Sequence, residues 1–305
     1  MSITERTTTS PVAEFVPRRH PWRIVGIVVV LLAALALAAV VVLNPRFQWN
    51  VVFHYLFDPR ILSGLWMTIF LTFIAMVVGL VIGVVIAVMR VSASRTLRWS
   101  SGFYIWFFRG TPVLVQLVFW YNLGYLFPDI SIGIPFADPW FTARTNDLIT
   151  PLLAAILGLG LNEGAYLAEI IRAGILSVSS GQREAATSIG MTRAQSFRRI
   201  VLPQAMRVII PPTGNETIGM LKSTSLVSVI ALSDLMYSAQ SIYSRTFEVI
   251  PLLLTASVWY LVLTSILSFG QSKIEDHFGR GVTAEAGLSG RNGMLHMLRR
   301  TGRKA

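Results

Sequence analysis

No cysteine occurs among the 305 residues, which excludes disulfides, thiolate metal sites and thiol nucleophiles. Charge is scarce too: Asp, Glu, Lys and Arg make up 13% of the chain, whereas a soluble domain carries about 25%. Lysine occurs only at 222, 273 and 304, never after glycine. A phosphate-cradling loop needs glycines and a Gly-Lys pair before Ser or Thr, so this chain cannot hold ATP in that way. The four histidines, His20, His54, His277 and His296, are scattered outside the apolar stretches. They suggest neither a metal cluster nor a catalytic triad, and no enzyme activity, cofactor or metal is expected.

What the chain has in abundance is apolar length. Hydrophobic residues make up 53% of it and the mean hydropathy is +0.62, which predicts an all-α integral membrane protein, since a span needs roughly 20 apolar residues of helix. Residues 24–43, 61–89 and 250–271 carry no charge. Residues 103–127 contain only Arg109, and 149–174 contain Asn162, Glu163, Glu169 and Arg172. A sixth stretch, 205–233, holds Pro211, Pro212, Gly214, Asn215, Glu216 and Lys222. Six transmembrane helices are therefore expected.

The net charge of +11 could suggest nucleic acid, but in a membrane protein the distribution of Lys and Arg decides. With six spans and the N-terminus inside, 21 of the 26 basic residues fall on the cytoplasmic side, Arg109 among them. Arg46, Arg60, Arg144 and Arg245 stay outside and Lys222 lies in a span. Both termini are expected in the cytoplasm, and no nucleic-acid partner is expected.

In chain order, residues 1–23 read as a cytoplasmic tail, disordered over its first 20 residues. The run 24–43 reads as a retained helix, because a cleaved signal has a shorter apolar core of about 7–15 residues. Residues 44–60 carry Phe47, Trp49, Phe53, Tyr55 and Phe57, an interfacial belt. Gly79 and Gly83 form a small-xxx-small pair and so a helix-packing face. In RGTPVLVQ, residues 109–116, Pro112 marks a helix start, with Arg109 snorkelling at the inner boundary. Residues 128–148 form an outer loop without periodicity, and 272–305 a cytoplasmic, disordered tail.

Ionisable groups within spans normally face a bundle interior or an aqueous path. Asn162, Tyr166 and Glu169 share one helical stripe, and Glu169 can pair with Arg172 at i+3. Glu163 has no such local partner, leaving two readings open: it lines a substrate path or braces one helix against another. In 205–233 the Pro211-Pro212 pair and the run Gly214-Asn215-Glu216 predict a broken helix, and broken helices at membrane depth often flank substrate sites. Asn162, Glu163, Tyr166, Asn215, Glu216, Lys222 and Thr224 are candidates for that path. A packing kink, with Lys222 paired to Glu216 or Glu163, is the alternative.

Between these spans lies a polar, basic stretch, EAATSIGMTRAQSFRRIVLP, residues 184–203. Ser179 precedes Gln182 by three and Thr192 precedes Gln195 by three, two capping-box signatures. Gly190 stands where a helix would end on a left-handed residue. Two short helices joined at Gly190 follow, with Pro203 opening the next span.

The spacing Glu184-Ala185-Ala186, Gly190, Ile200, Leu202-Pro203 resembles the conserved cytoplasmic loop of ABC importer permeases. With FYIWFFRGTPVLVQL at 103–117, LNEGAYLAEIIRAGI at 161–175, GQREAA at 181–186, LPQAMRVIIPP at 202–212 and LKSTSLVSVI at 221–230, residues 61–271 resemble the polar amino-acid permeases of the histidine/glutamine type. The resemblance implies a core of five helices over 61–271, with its coupling loop at 178–203 and residues 24–43 as an extra helix. It implies a bacterial inner-membrane location, a second permease subunit, a cytoplasmic ABC ATPase dimer and an external amino-acid-binding protein, with membrane lipid around the spans. It also implies that the helix Glu184 to Ile189 seats in an ATPase groove and passes rigid-body motion through Gly190 and Pro203 into the spans. Rival readings are a permease for an opine or osmolyte, a secondary transporter, and a membrane-anchored scaffold.

Overall fold

The computed structural model describes residues 21–134 and 139–279, and the chain separates into two units, Met1–Trp49 and Asn50–Ala305. The expected tails over 1–20 and 280–305 lie outside the described residues.

In the first unit, α1 (Pro21–Leu43) is a continuous helix. Its Val25–Leu43 portion of 19 residues rises about 28 Å, enough to cross a hydrocarbon core. The chain then turns: Asn44 Oδ1 accepts from the Arg46 backbone N–H at 3.0 Å, Pro45–Phe47 forms a 3₁₀ turn, and Phe47 stacks on Trp49.

The second unit begins with the short α2 (Trp49–Leu56) and the long α3 (Pro59–Val91). Asp58 caps α3 by accepting from the Arg60 N–H at 2.9 Å, and Pro59 supplies a first-turn residue with no N–H to satisfy. After a basic turn come α4 (Arg95–Gly110) and α5 (Val113–Tyr121), bent by 98° to one another. The single span expected at 103–127 is thus broken: hydropathy registers the apolar run but not its change of direction. Beyond α6 (Leu123–Leu126), strands β1 (Asp129–Ile132) and β2 (Phe141–Arg144) pair antiparallel with Asp129 opposite Arg144, and α7 (Thr145–Leu148) follows. The outer loop therefore has structure of its own, which its lack of periodicity did not announce.

The central helix is α8 (Pro151–Leu176), which makes its most extensive contact with α3. A Cβ on Gly79 would lie 2.8 Å from Glu163 Cγ, one on Gly83 2.8 Å from Leu167 Cβ, and one on Gly160 2.8 Å from Val78 Cγ1. The two helices therefore run parallel, backbone against backbone. In lipid, where apolar surface alone gives helices no reason to associate, such close approach supplies the dispersion contacts. Gly79 and Gly83 form the expected face, and Gly160 and Gly164 of α8 complete it.

The polar stretch follows: α9 (Ser180–Ser188), then α10 (Arg193–Ser196), a π turn at Phe197–Val201 and α11 (Leu202–Ser223). Helical structure is unbroken from Arg193 to a 3₁₀ run at Thr224–Ile230. Pro203 stands in the first turn of α11, as expected, although the π turn runs into that helix without a gap. One expectation is corrected here: Pro211-Pro212 do not break the helix. Each proline removes one backbone donor, which would have reached Arg207 O or Val208 O, while the helix continues on either side. Nearby, Gln271 Nε2 donates to Pro211 O at 2.6 Å and Thr213 Oγ1 to Ile209 O at 2.8 Å. The real break comes at Ala231, in the left-handed region at φ 56°. There α12 (Leu235–Thr246) begins under an Asp234 cap, and α13 (Val249–Gly279) follows, running past the expected boundary at 271.

Buried residues gather in layers along α3 and α8. Leu71, Ala75, Leu117, Ala155, Leu159 and Val227 form one, and Ala87, Ile171, Val178, Val201, Ala205 and Ile209 another at the end carrying the polar stretch. Four helices are long and apolar enough to cross a membrane, or up to six if each bent pair counts as one span.

Candidate functional site

Beneath the elbow between α4 and α5 lies a cavity of about 550 Å³, closed by α8 on one side and α11 on the other. The elbow, Gly110-Thr111-Pro112, leaves the last carbonyls of α4 without helical partners. Side chains take two of them and the carbonyl of Thr111 as well. Thr111 Oγ1 donates to Phe107 O at 2.9 Å, Asn162 Nδ2 to Phe108 O at 2.7 Å, and Gln116 Nε2 lies 3.1 Å from both Phe108 O and Thr111 O. Tyr104 adds a 2.7 Å hydrogen bond to Leu161 O, tying α4 to α8. Two of the last four carbonyls of α4, those of Phe107 and Phe108, thereby gain side-chain donors.

Arg109 stands at this elbow, its guanidinium 4.9 Å from the centre of the Tyr166 ring. Tyr166 is ten residues from the end of α8 at Leu176, so Arg109 sits about 15 Å inward from that end. Arg109 lines the cavity, where an aromatic face meets its charge.

The charged lining is completed by Glu163 and Glu216. Glu163 is 4% exposed, and its Oε1 has no hydrogen-bond partner among the described residues. The absence of a side chain at Gly79 makes room for it. Glu216, on α11, is half-buried across the same cavity. Two carboxylates therefore face one guanidinium, with Asn162, Tyr166, Thr111 and Ser223 as neutral hydrogen-bonding neighbours.

Of the seven path candidates, Asn162, Glu163, Tyr166 and Glu216 line this cavity. Asn215 and Lys222 are exposed on another side of α11, and Thr224 is buried, donating to Leu221 O at 2.7 Å. Lys222 forms no ion pair with either glutamate among the described residues; the two ion pairs there are Arg60–Asp58 and Arg172–Glu169. The latter, at 2.7 Å, is the pair expected from their spacing. Arg109, Thr111 and Pro112 were visible in the sequence only as a helix start.

At the other candidate site, Met191 N–H donates to Ala186 O and Gly190 N–H to Thr187 O, both at 3.0 Å, with Gly190 at φ +80°. This pairing is a Schellman motif, ending α9 at the position the sequence indicated. Thr192 and Gln195 form the expected capping box, whereas Ser179 makes no side-chain cap bond. Ala186 is buried; Glu184, Ala185, Leu202 and Pro203 are exposed, Ile200 is partly so, and Ile189 is 74% exposed at the tip. Gln204 donates to Gln182, tying α11 back to α9.

Comparison with known proteins adds to this geometry. The family model for the binding-protein-dependent transport system inner membrane component matches residues 79–278. The chain is 46% identical over 270 residues to the arginine transport system permease protein ArgU of Corynebacterium glutamicum, covering 88% of this chain and 83% of the relative. It is 36% identical over 241 residues to the L-cystine transport system permease protein TcyB of Bacillus subtilis, covering 79% and 95%. The crystal structure of an amino acid ABC transporter with histidines superposes with a TM-score of 0.61 at 39% identity, covering 72% of this chain and 95% of that one.

Proposed function

Because the chain belongs to the family of binding-protein-dependent transport system inner membrane components, we propose that the cavity under the α4–α5 elbow is its solute path, suited to an amino acid with a cationic side chain. It is a multi-pass permease subunit of an amino-acid ABC importer in the inner membrane, and ATP hydrolysis belongs to partner subunits. ATPase subunits and a solute-binding protein are partners of this family as a whole.

The observation that carries the cavity reading is the unpartnered carboxylate of Glu163. A buried charged group without a hydrogen bond is costly, and it is retained where a ligand supplies the missing partner. With both carboxyls ionised, as a bound cation would favour, Glu163 and Glu216 against Arg109 give the lining a formal charge of −1, complementary to a solute of charge +1. Arg109 would take the solute carboxylate and the glutamates its cationic groups. The arginine permease among the relatives supports the same class.

In this reading residues 178–203 dock the ATPase dimer, with Glu184, Ala185, Ala186 and Ile189 on the seated helix and Gly190, Ile200, Leu202 and Pro203 shaping its exit. A second permease subunit, identical or paralogous, covers the face of α11 bearing Asn215 and Lys222, since exposed polar groups on a spanning helix are expensive in lipid. The distribution of Lys and Arg supports cytoplasmic termini.

The test is uptake by the complete transporter in proteoliposomes, with arginine, glutamine and glutamate as solutes. Wild type should prefer arginine. Glu163→Gln should lower arginine uptake at least about tenfold, one buried charge interaction being worth roughly 1.5–3 kcal/mol, and should narrow the preference over glutamine. Unchanged uptake, preference and solute-stimulated ATP hydrolysis in Glu163→Gln would make Glu163 a strut and remove the assignment.

A further inference from the structure

We propose that the turn between α3 and α4 is a binding site for the headgroup of an anionic phospholipid. The site lies at the end of the bundle carrying residues 184–203, because α3 and α8 run parallel and Ala87 packs with Val178 and Val201. The 33 residues of α3 rise about 50 Å, well beyond a hydrocarbon core of about 30 Å. Its last turn therefore emerges in the headgroup layer.

There Arg90 and Arg98 border a cavity of about 370 Å³ whose floor and wall are Trp99, Gly102, Phe103 and Trp106. Both guanidiniums are held by the turn itself. Arg90 Nη1 donates to Arg98 O at 2.9 Å, and Arg98 Nη1 donates to Ser92 O at 2.9 Å and to Ala93 O at 2.8 Å. The other nitrogens of both groups have no protein acceptor among the described residues. Such fixed, planar donors match phosphate geometry with little further ordering. Gly102 admits the Arg90 guanidinium across α4, since a Cβ there would lie 2.9 Å from Arg90 Nη1.

Charge and aromatic pattern argue for a lipid as occupant. Between Asp58 and Asp129 the chain has no acidic residue, so nothing in α3, α4 or the turn neutralises Arg90, Arg95 and Arg98. Trp99, Phe103 and Trp106 form one exposed stripe of α4, with Trp99 stacked on Phe103 at 6.1 Å and Phe103 beside Trp106 at 5.7 Å. Rings of this kind sit at headgroup level, and a basic pocket among them suits a phosphate with acyl chains running down the stripe. This assignment does not depend on the transported solute.

The permease with its ATPase subunits, delipidated in detergent, is titrated with dioleoyl phosphatidylglycerol or dioleoyl phosphatidylcholine and bound lipid is counted by native mass spectrometry. Phosphatidylglycerol should bind at least tenfold more tightly. Arg90→Gln with Arg98→Gln should weaken it roughly 30-fold and leave phosphatidylcholine unchanged, while Arg60→Gln with Arg144→Gln should change neither. Glycerol phosphate should not displace the lipid. Equal binding of the two lipids, an unaffected double variant, or displacement by glycerol phosphate would overturn the proposal. An independent measurement uses wild type: brominated phosphatidylglycerol should quench tryptophan emission more than brominated phosphatidylcholine, with the difference reduced in Trp99→Phe. Equal quenching would also overturn it.

Discussion

Gly190 is the residue at which the docking assignment can be tested most sharply. Its φ of +80° is imposed by the Schellman motif that ends α9. A Cβ added there meets nothing within 4 Å, so a substitution strains the backbone without crowding a neighbour. An L-residue in this region costs roughly 1–2 kcal/mol, and a β-branched one more, because its side chain is least compatible with positive φ. If a seated hairpin must keep this ending, ATPase affinity falls by the same free energy, about 5- to 30-fold. The order should be Gly, Asn, Ala, Val, since Asn enters the left-handed region most readily after glycine. The assay is binding of purified ATPase subunits to the permease in nanodiscs, with uptake and membrane level measured in parallel. Gly190→Val should reach the membrane and fail in both binding and uptake. Wild-type binding by Gly190→Val, or an Asn variant as weak as the Val variant, would refute the reasoning.

Gly83→Leu should separate α3 from α8, because its Cβ would meet Leu167 Cβ at 2.8 Å and the Ala168 backbone at 3.2 Å. A loss of about 1–3 kcal/mol should appear as a lower melting midpoint, with Gly270→Leu, which has open space, as the near-neutral control. Gln116→Leu removes the donor shared by the Phe108 and Thr111 carbonyls; about 1–3 kcal/mol of local stability should go, read as faster amide exchange over 109–116, and unchanged exchange would count against the elbow's design. Asp58 is held below the ordinary aspartate range chiefly by the Arg60 side-chain hydrogen bond. A depressed carboxylate stabilises the fold above its unfolded value and loses that contribution as pH falls through the folded value, so wild type should lose a little stability as pH falls below about 4. Asp58→Asn, which can still cap α3, should flatten that limb of the melting curve.

Much of this architecture could be read from local chemistry. The glycine pair at 79 and 83, the Glu169–Arg172 pair, the Thr192–Gln195 box and the ending at Gly190 each depend on residues within a turn or two of one another, and each is found. What escaped the sequence depends on partners far along the chain. Pro211 and Pro212 read as a break because local propensity penalises proline within a helix, whereas packing of α11 against α8 and α13, elements distant in sequence, keeps the segment helical through the pair. The place of Arg109 in the cavity escaped because nothing nearby announces that Tyr166 and Asn162 will receive it and its carbonyl neighbour. The bend at 110–112 was hidden for a related reason: Pro112 marks a helix start whether the preceding segment is a loop or another helix folded along α3. Glu163 was conspicuous as a charge without a local partner, and its surroundings, including the void left at Gly79, belong to tertiary packing alone.

The uninterrupted helix from Arg193 to Ile230 joins the polar hairpin to the cavity wall, so that under the proposed ATPase contact the two would move as parts of a single lever. From Arg193 to Glu216 is 23 residues along that helix, an arm of about 35 Å. A tilt of about 5° at the hairpin sweeps Glu216 through roughly 3 Å, comparable to the length of a hydrogen bond. On that reading a small swing of the partner would reach the cavity already magnified, carrying the carboxylate of Glu216 toward or away from Glu163.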